Sequence, residues 1–338
     1  MKGLRFIAAM TAALMVAGAS AQETKVARNK RNPVIKGLYA DPEIMYSEQT
    51  GKYYLYPTTD GCEGWKNHDS HVFSSKNMKK WKKEGTVLDL RTDVSWADEK
   101  LWAPCIIERK YGSGKNVSYK YFYYFVANGN IGVATASHPA GPFKDALGKP
   151  MIPMPTEGPM KNHIIDPDVF QDPQTGKYYL YWGNGFLAVC ELNDDMLSLK
   201  EETLKYIIPM EEKRKYHYNE GSYVFFRKGK YYFSWSENDT RSPDYQVRYM
   251  MSNSPTETAG AVMDSVVIRR DDSKQIYGTG HHAIICKPGT DEWYIVYHRF
   301  QRPDAIKLGK SAGYNREVCI DRLYFNEDGT IKRVQPTL

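Results

Sequence analysis

Three acidic residues open three copies of one short pattern: Asp41 in Ala40-Asp41-Pro42, Asp166 in Ile165-Asp166-Pro167 and Glu220 in Asn219-Glu220-Gly221. The ordinary place of an acid is the solvated surface or a turn, and Asp-Pro is a common turn opener, so any one of them alone says little. Three gathered at one crowded place are different, because burying several carboxylates without use is costly. Two carboxyls flanking a sugar linkage suffice to hydrolyse it with inversion. One stays protonated and donates to the leaving oxygen, and the other is ionised and activates water from the opposite face. A third carboxylate nearby would raise the pKa of the donor and keep it protonated near neutrality. The residues themselves do not say which acid is donor and which is base.

The elements that would bring these acids together are legible as a repeat. Asp41 is followed by Gly51-Lys52-Tyr53-Tyr54-Leu55-Tyr56 and Asp166, at the same offset, by Gly176-Lys177-Tyr178-Tyr179-Leu180-Tyr181. A third copy runs from Glu220 to Tyr231-Tyr232-Phe233, a fourth from Trp102-Ala103-Pro104 to Tyr121-Phe122-Tyr123-Tyr124, and a fifth from Gly280-His281-His282 to Trp293-Tyr294-Ile295. Each reads as strand, turn, aromatic strand. Ser70 to Ser75 and Gly132 to Ser137 supply further strands. Taking Asp41, Ala103, Asp166, Glu220 and His281 as equivalent, the intervals are 62, 63, 54 and 61 residues. Four-stranded units at this spacing predict an all-β fold, a five-bladed β-propeller with antiparallel blades around a central axial channel. In a propeller the first strand of each blade lines the axis, so Asp41, Asp166, Glu220 and His281 are expected to meet. There His281 could ligate a cation or orient water, its plainer reading being a buried histidine satisfied by the backbone. Trp102 could form a sugar-stacking wall at the rim, or simply pack in the core.

Composition agrees with an all-β chain: 26 Tyr, 7 Trp and 12 Phe stand among many Gly and Pro. Glu201 to Glu212 is the one stretch that reads as a short helix. Lys2 and Arg5, an apolar stretch from Phe6 to Gly18 and the small residues Ala19-Ser20-Ala21 read as a cleavable secretory signal over residues 1–21, followed by a short linker over 22–31 and a single propeller domain over 32–338. The expected protein is secreted or periplasmic. The stretch is too short to span a bilayer, and no Cys at the cleavage point marks a lipoprotein, so no membrane anchor is expected. Without Lys2 and Arg5 the formal charge falls from +6 to +4, and the remaining Lys and Arg are scattered, which argues against a nucleic-acid partner. Five widely spaced Cys, with no CxxC pair, point to buried thiols rather than a zinc site or a disulfide framework.

The motifs Ala40-Asp41-Pro42, Trp102-Ala103-Pro104, Ile165-Asp166-Pro167, Glu220-Gly221, Gly278-Thr279-Gly280-His281 and Asn315-Arg316-Glu317 together resemble glycoside hydrolase family 43, the five-bladed propellers that include arabinofuranosidases, xylosidases and arabinanases. The resemblance covers essentially the whole chain after the signal. It implies that Asp41 is the general base, Glu220 the general acid, and Asp166 the residue that orients the acid and tunes its pKa. It further implies that Arg316 contacts the sugar, and that a calcium ion or another small cation occupies the central channel near His281, with no organic cofactor. The related β-fructosidases, which work by retention, open with Asn-Asp-Pro-Asn and carry Arg-Asp-Pro, whereas this chain has Ala-Asp-Pro-Glu and Ile-Asp-Pro, so inversion is the expectation.

The leading expectation is an exo-acting α-L-arabinofuranosidase on plant polysaccharide or its oligosaccharides. β-Xylosidase, endo-arabinanase and exo-galactanase are alternatives on the same frame, and a non-catalytic sugar-binding propeller is a third class. The carbohydrate substrate is the only partner indicated, and no protein partner is. The loops Asp60 to Asp69 and Arg299 to Tyr314 are expected to shape the pocket and so decide between exo and endo action.

Overall fold

A computed structural model describes residues 32–258 and 262–338; the expected signal peptide over 1–21 and linker over 22–31 lie outside the described residues. Among the described residues twenty strands form five four-stranded antiparallel sheets, each made of strands consecutive in sequence. The blades are opened by Tyr39–Ser47, Trp102–Tyr111, Asp168–Gln171, Glu220–Arg227 and Gly280–Cys286. Each of these opening strands touches the next around the ring, and the last touches the first, so they enclose the axis. This is the expected five-bladed propeller.

The aromatic second strands are buried on both faces because a blade packs against a neighbour on each side. In Lys52–Thr59, for example, Tyr53 through Pro57 are all buried. The hydrophobic core is accordingly divided into five main clusters, one at each junction between adjacent blades. Burial of a phenol requires a partner for its hydroxyl. Four second-strand tyrosines find theirs on a backbone carbonyl of the following blade: Tyr56 on Pro139 at 2.6 Å, Tyr124 on Met196 at 2.8 Å, Tyr181 on Pro255 at 2.7 Å and Tyr232 on Gly329 at 2.6 Å. These four struts give a structural reason for part of the tyrosine richness.

The seam between the fifth blade and the first is closed differently. Tyr297 donates within its own blade to Asp321 at 2.7 Å, and Asp321 also accepts from the Thr337 hydroxyl at 2.6 Å. Asn32 then latches the entering chain onto the fifth blade. Its Nδ2 donates to Thr337 at 3.0 Å and its Oδ1 accepts from Ile320 N–H at 2.9 Å, while Val34 N–H donates to Val318 at 2.9 Å.

One expectation is corrected. Glu201 to Glu212 is not a helix: a 3-10 turn over Glu201–Thr203 leads into the strand Lys205–Ile208, and a second turn follows over Met210–Glu212. The strand pairs with Leu187–Glu191 and buries Ile207 and Ile208 against the next blade, so edge pairing and β-branched burial outweigh local helix preference. All five cysteines are free thiols, with Cys105, Cys190 and Cys319 buried.

The Asn32 latch is testable. Asn32→Ala removes the side-chain bonds across the seam and is expected to lower unfolding stability by about 1–3 kcal/mol, read as a lower melting temperature, with turnover at low temperature unchanged.

Candidate active site

The opening strand of every blade is headed by a residue in the left-handed region: Asp41 at φ 45°, Ala103 at 39°, Asp166 at 60°, Gly221 at 60° and His281 at 41°. In four blades the ladder also slips there, as a bulge between Ala40 and Glu43, Trp102 and Cys105, Glu220 and Tyr223, and Gly280 and His282. Such backbone costs about 1–3 kcal/mol per non-glycine residue and persists only where the surroundings enforce it. The repeat register is thereby corrected. Gly221, not Glu220, is the equivalent of Asp41 and Asp166, and Glu220 occupies the place of Trp102 and Ala40. The expected convergence nevertheless holds: Asp41, Asp166, Glu220, His281, Trp102 and Arg316 all line one pocket of about 130 Å³, together with Trp65, Ala103, Ile165 and Thr240.

Asp41 is buried and faces a cation. Oδ1 accepts from Arg316 Nη1 at 2.9 Å, and His281 Nδ1 lies 3.3 Å from the same oxygen. Asp41 N–H donates to His298 Nδ1 at 3.2 Å. Burial opposes ionisation, but the Arg316 charge, aided by His281, outweighs it and holds the Asp41 carboxyl well below the usual carboxylate range. Oδ2 is left without a protein partner among the described residues. Arg316 is itself immobilised: Nε and Nη2 straddle Asp60 at 2.9 and 3.3 Å, and Nη1 also reaches Thr240 at 3.2 Å. Most of its donors are thus engaged by protein, and its evident work is electrostatic support of Asp41.

Glu220 lies in the opposite environment. Burial pushes its carboxyl up to about 7; the Tyr245 hydroxyl pulls the other way, and the Asp41 charge adds to the rise. Oε1 accepts from Tyr245 at 2.9 Å and Oε2 from Asn184 Nδ2 at 2.8 Å, with Asn184 Oδ1 fixed by His163 at 2.9 Å. Asp166 accepts the Gly221 N–H at 3.0 Å, which ties it to the residue after Glu220. Burial, then the charges of Glu220 and Asp41, raise Asp166 well above the carboxylate range. One buried pocket therefore holds an ionised carboxylate and protonated carboxyls together.

Trp102 stands at the rim, its indole N–H donating to the Trp65 carbonyl at 2.7 Å. Trp65 belongs to one of the two loops expected to shape the pocket, and it joins them: its indole donates to Gly313 at 2.9 Å and its ring packs edge-on to Tyr314 at 4.6 Å. Beneath the pocket the axial channel is lined by Glu43, Asp168, Ser222, His281 and His282. Burial raises Asp168 to about 8 and, with the Asp168 charge, raises Glu43 well above the usual range. Ser222 Oγ and His282 Nδ1 have no hydrogen-bond partner among the described residues. Among those residues no three His, Cys, Asp or Glu side chains are arranged as a metal site. His281 and water would hold a cation here, and its charge would draw the retained protons from the buried carboxyls of Glu43 and Asp168; the two orphaned polar atoms and those carboxyls are compatible with that.

Tyr245, Asn184, Asp60, Thr240, His298 and Trp65 were not singled out from sequence. They lie on loops or strand ends that differ from blade to blade, and the Asn-Arg-Glu context of Arg316 carries no mark of Asp60.

The family model for glycosyl hydrolases family 43 matches residues 30–331. A β-D-galactofuranosidase of Aspergillus niger is 35% identical over 91% of this chain and 85% of its own length. An arabinoxylan arabinofuranohydrolase of Bacillus subtilis is 30% identical over 93% of this chain, which spans 66% of that protein. The solved α-L-arabinofuranosidase of Clostridium thermocellum superposes with a TM-score of 0.67 at 32% identity, covering 88% of this chain and 94% of that one. With five blades, an acid-lined axial pocket and these relatives, the chain belongs to glycosyl hydrolase family 43 and is a glycoside hydrolase.

Proposed function

We propose that this enzyme is an exo-acting α-L-arabinofuranosidase that releases terminal pentose from plant polysaccharide or its oligosaccharides with inversion. One observation carries the reading: across a single pocket Arg316 keeps Asp41 ionised while burial keeps Glu220 protonated to about 7. Glu220 gives its proton to the glycosidic oxygen as the bond to the anomeric carbon breaks. Asp41 takes a proton from the water that attacks the opposite face. Asp166, through Gly221 N–H, orients the backbone that carries Glu220. The pocket, at about 130 Å³, is on the scale of one sugar rather than a chain, which favours exo action. Trp65 and Trp102, set edge to face with their planes 76° apart, offer an apolar corner against which a sugar face can pack.

A second reading is β-D-galactofuranoside hydrolysis, favoured by the Aspergillus relative at 35% identity. The two furanosides share ring configuration and differ in the exocyclic arm. β-Xylosidase, endo-arabinanase and exo-galactanase use the same frame. The basic, apolar and small-residue runs from Lys2 to Ala21 support action outside the cytoplasm. A calcium ion in the channel would be held by His281 and water and would supply positive charge beneath the pocket.

Incubation with aryl glycosides, branched arabinan, arabinoxylan and galactofuranosides is expected to release free arabinose, with Glu220→Ala lowering turnover of unactivated linkages about 10²–10⁴-fold. Short oligosaccharides instead of arabinose would mean endo action, and binding without turnover would overturn the enzymatic reading. Proton NMR of the first-formed sugar should show the inverted anomer. Because Glu220 works protonated, kcat/KM is expected to fall as pH rises through about 7, whereas Asp41 imposes no loss on the acid side until well below the ordinary carboxylate range. Calcium added to chelated protein is expected to raise its melting temperature, and His281→Ala to abolish that rise.

A further inference from the structure

We propose that Tyr245 is a positioning residue that holds both reacting carboxyls at once, its hydroxyl aiming Glu220 and its ring backing the histidine behind Asp41. The proposal rests on the reading that Glu220 donates the proton and Asp41 activates water. Tyr245 immediately precedes the strand Gln246–Ser252 of the fourth blade and is fully buried. Its hydroxyl donates to Glu220 Oε1 at 2.9 Å. Its ring lies parallel to the imidazole of His298, with centroids 5.5 Å apart and planes within 8°. His298, equally buried, accepts the Asp41 N–H at 3.2 Å and faces Thr240 with its other nitrogen at 3.5 Å. One stiff side chain therefore runs from the acid of the fourth blade to the histidine of the fifth that steadies the base of the first.

The surroundings are built to hold that ring. A Cβ on Gly280 would stand 2.3 Å from Tyr245 Cε1, so only glycine lets the ring lie where it does. On the same side Ser236 Oγ accepts the His281 N–H at 2.8 Å, which fixes the backbone next to Gly280. Once Glu220 has given up its proton, the carboxylate receives charge-assisted bonds from Tyr245 and Asn184 that are stronger than those to the neutral acid. The brace thus favours the state after proton transfer over the state before it, which is the kind of interaction that accelerates a step rather than merely binding substrate.

The test uses leaving groups. For the sugar the enzyme cleaves, kcat is compared on an oligosaccharide, whose leaving group needs a proton, and on the dinitrophenyl glycoside, which needs little. Tyr245→Phe keeps the ring and is expected to lower kcat about tenfold or more on the oligosaccharide relative to its effect on the dinitrophenyl glycoside, with KM little changed. Tyr245→Leu also removes the stack on His298 and is expected to lower kcat on the dinitrophenyl glycoside by about tenfold, since the step remaining there depends on the base. Gly280→Ala, which drives a methyl group into the ring, should reproduce the Leu pattern. Wild-type kinetics in all three variants, or an equal loss on both substrates for Tyr245→Phe, would overturn the positioning role. Glu220→Ala is run alongside: if it shows no dependence on leaving group, the acid assignment itself fails and the brace falls with it. That outcome is distinct from a leaving-group-dependent Glu220→Ala beside an unaffected Tyr245→Phe, which removes the brace alone.

Discussion

The site depends on a backbone constraint repeated five times: the innermost strand of every blade must begin at the axis, where five chains converge and no room remains for a regular ladder. The left-handed residues Asp41, Ala103, Asp166, Gly221 and His281 are the common answer, each turning the strand end so that side chains face the axial pocket. Where the turning residue is itself an acid, its carboxyl enters directly. In the fourth blade glycine makes the turn and the acid precedes it, so Glu220 approaches from a different backbone position than the other two carboxyls. The propeller is fivefold in its backbone and asymmetric in its chemistry.

The asymmetry is electrostatic. Among the described residues one cation, Arg316, is placed directly against the trio, and it is tied to Asp60 so that its charge falls on Asp41. At the other two carboxyls burial outweighs the weaker pull of the same guanidinium, and their protons are retained. Charge is thus separated inside a cavity by the position of one guanidinium rather than by different acids. Removing solvent strengthens both halves of this arrangement, because a low-dielectric pocket magnifies the attraction at Asp41 and the penalty on Glu220 alike.

Much of this was legible in the sequence because a propeller writes its architecture as a period. The five aromatic second strands announced five blades, and the acids at their heads announced convergence. The register at Glu220 was misplaced by one residue since an acid is more conspicuous than a glycine, although Gly221 was the clue: glycine marks a left-handed position that acids occupy elsewhere. The Glu201 to Glu212 stretch misled because its polar ends resemble a helix while its middle, Lys205–Ile208, answers to a neighbouring strand. Tyr245, Asn184, Asp60 and His298 were illegible for another reason. They act through contacts between blades or across the loops of one blade, at separations from 25 residues for Tyr245 and Glu220 to 257 for Asp41 and His298, and periodicity carries no record of such pairs.

The tyrosine struts between blades have a direction. Each of the four runs from a blade to the one after it in the chain, from Tyr56, Tyr124, Tyr181 and Tyr232 to carbonyls synthesised later. A blade completed at the ribosome therefore holds a phenol whose acceptor does not yet exist, and it can become dry only when its successor arrives. Assembly is in this sense a relay, each unit unfinished until the next relieves it, and the final blade ends the relay by turning its own tyrosine, Tyr297, inward to Asp321.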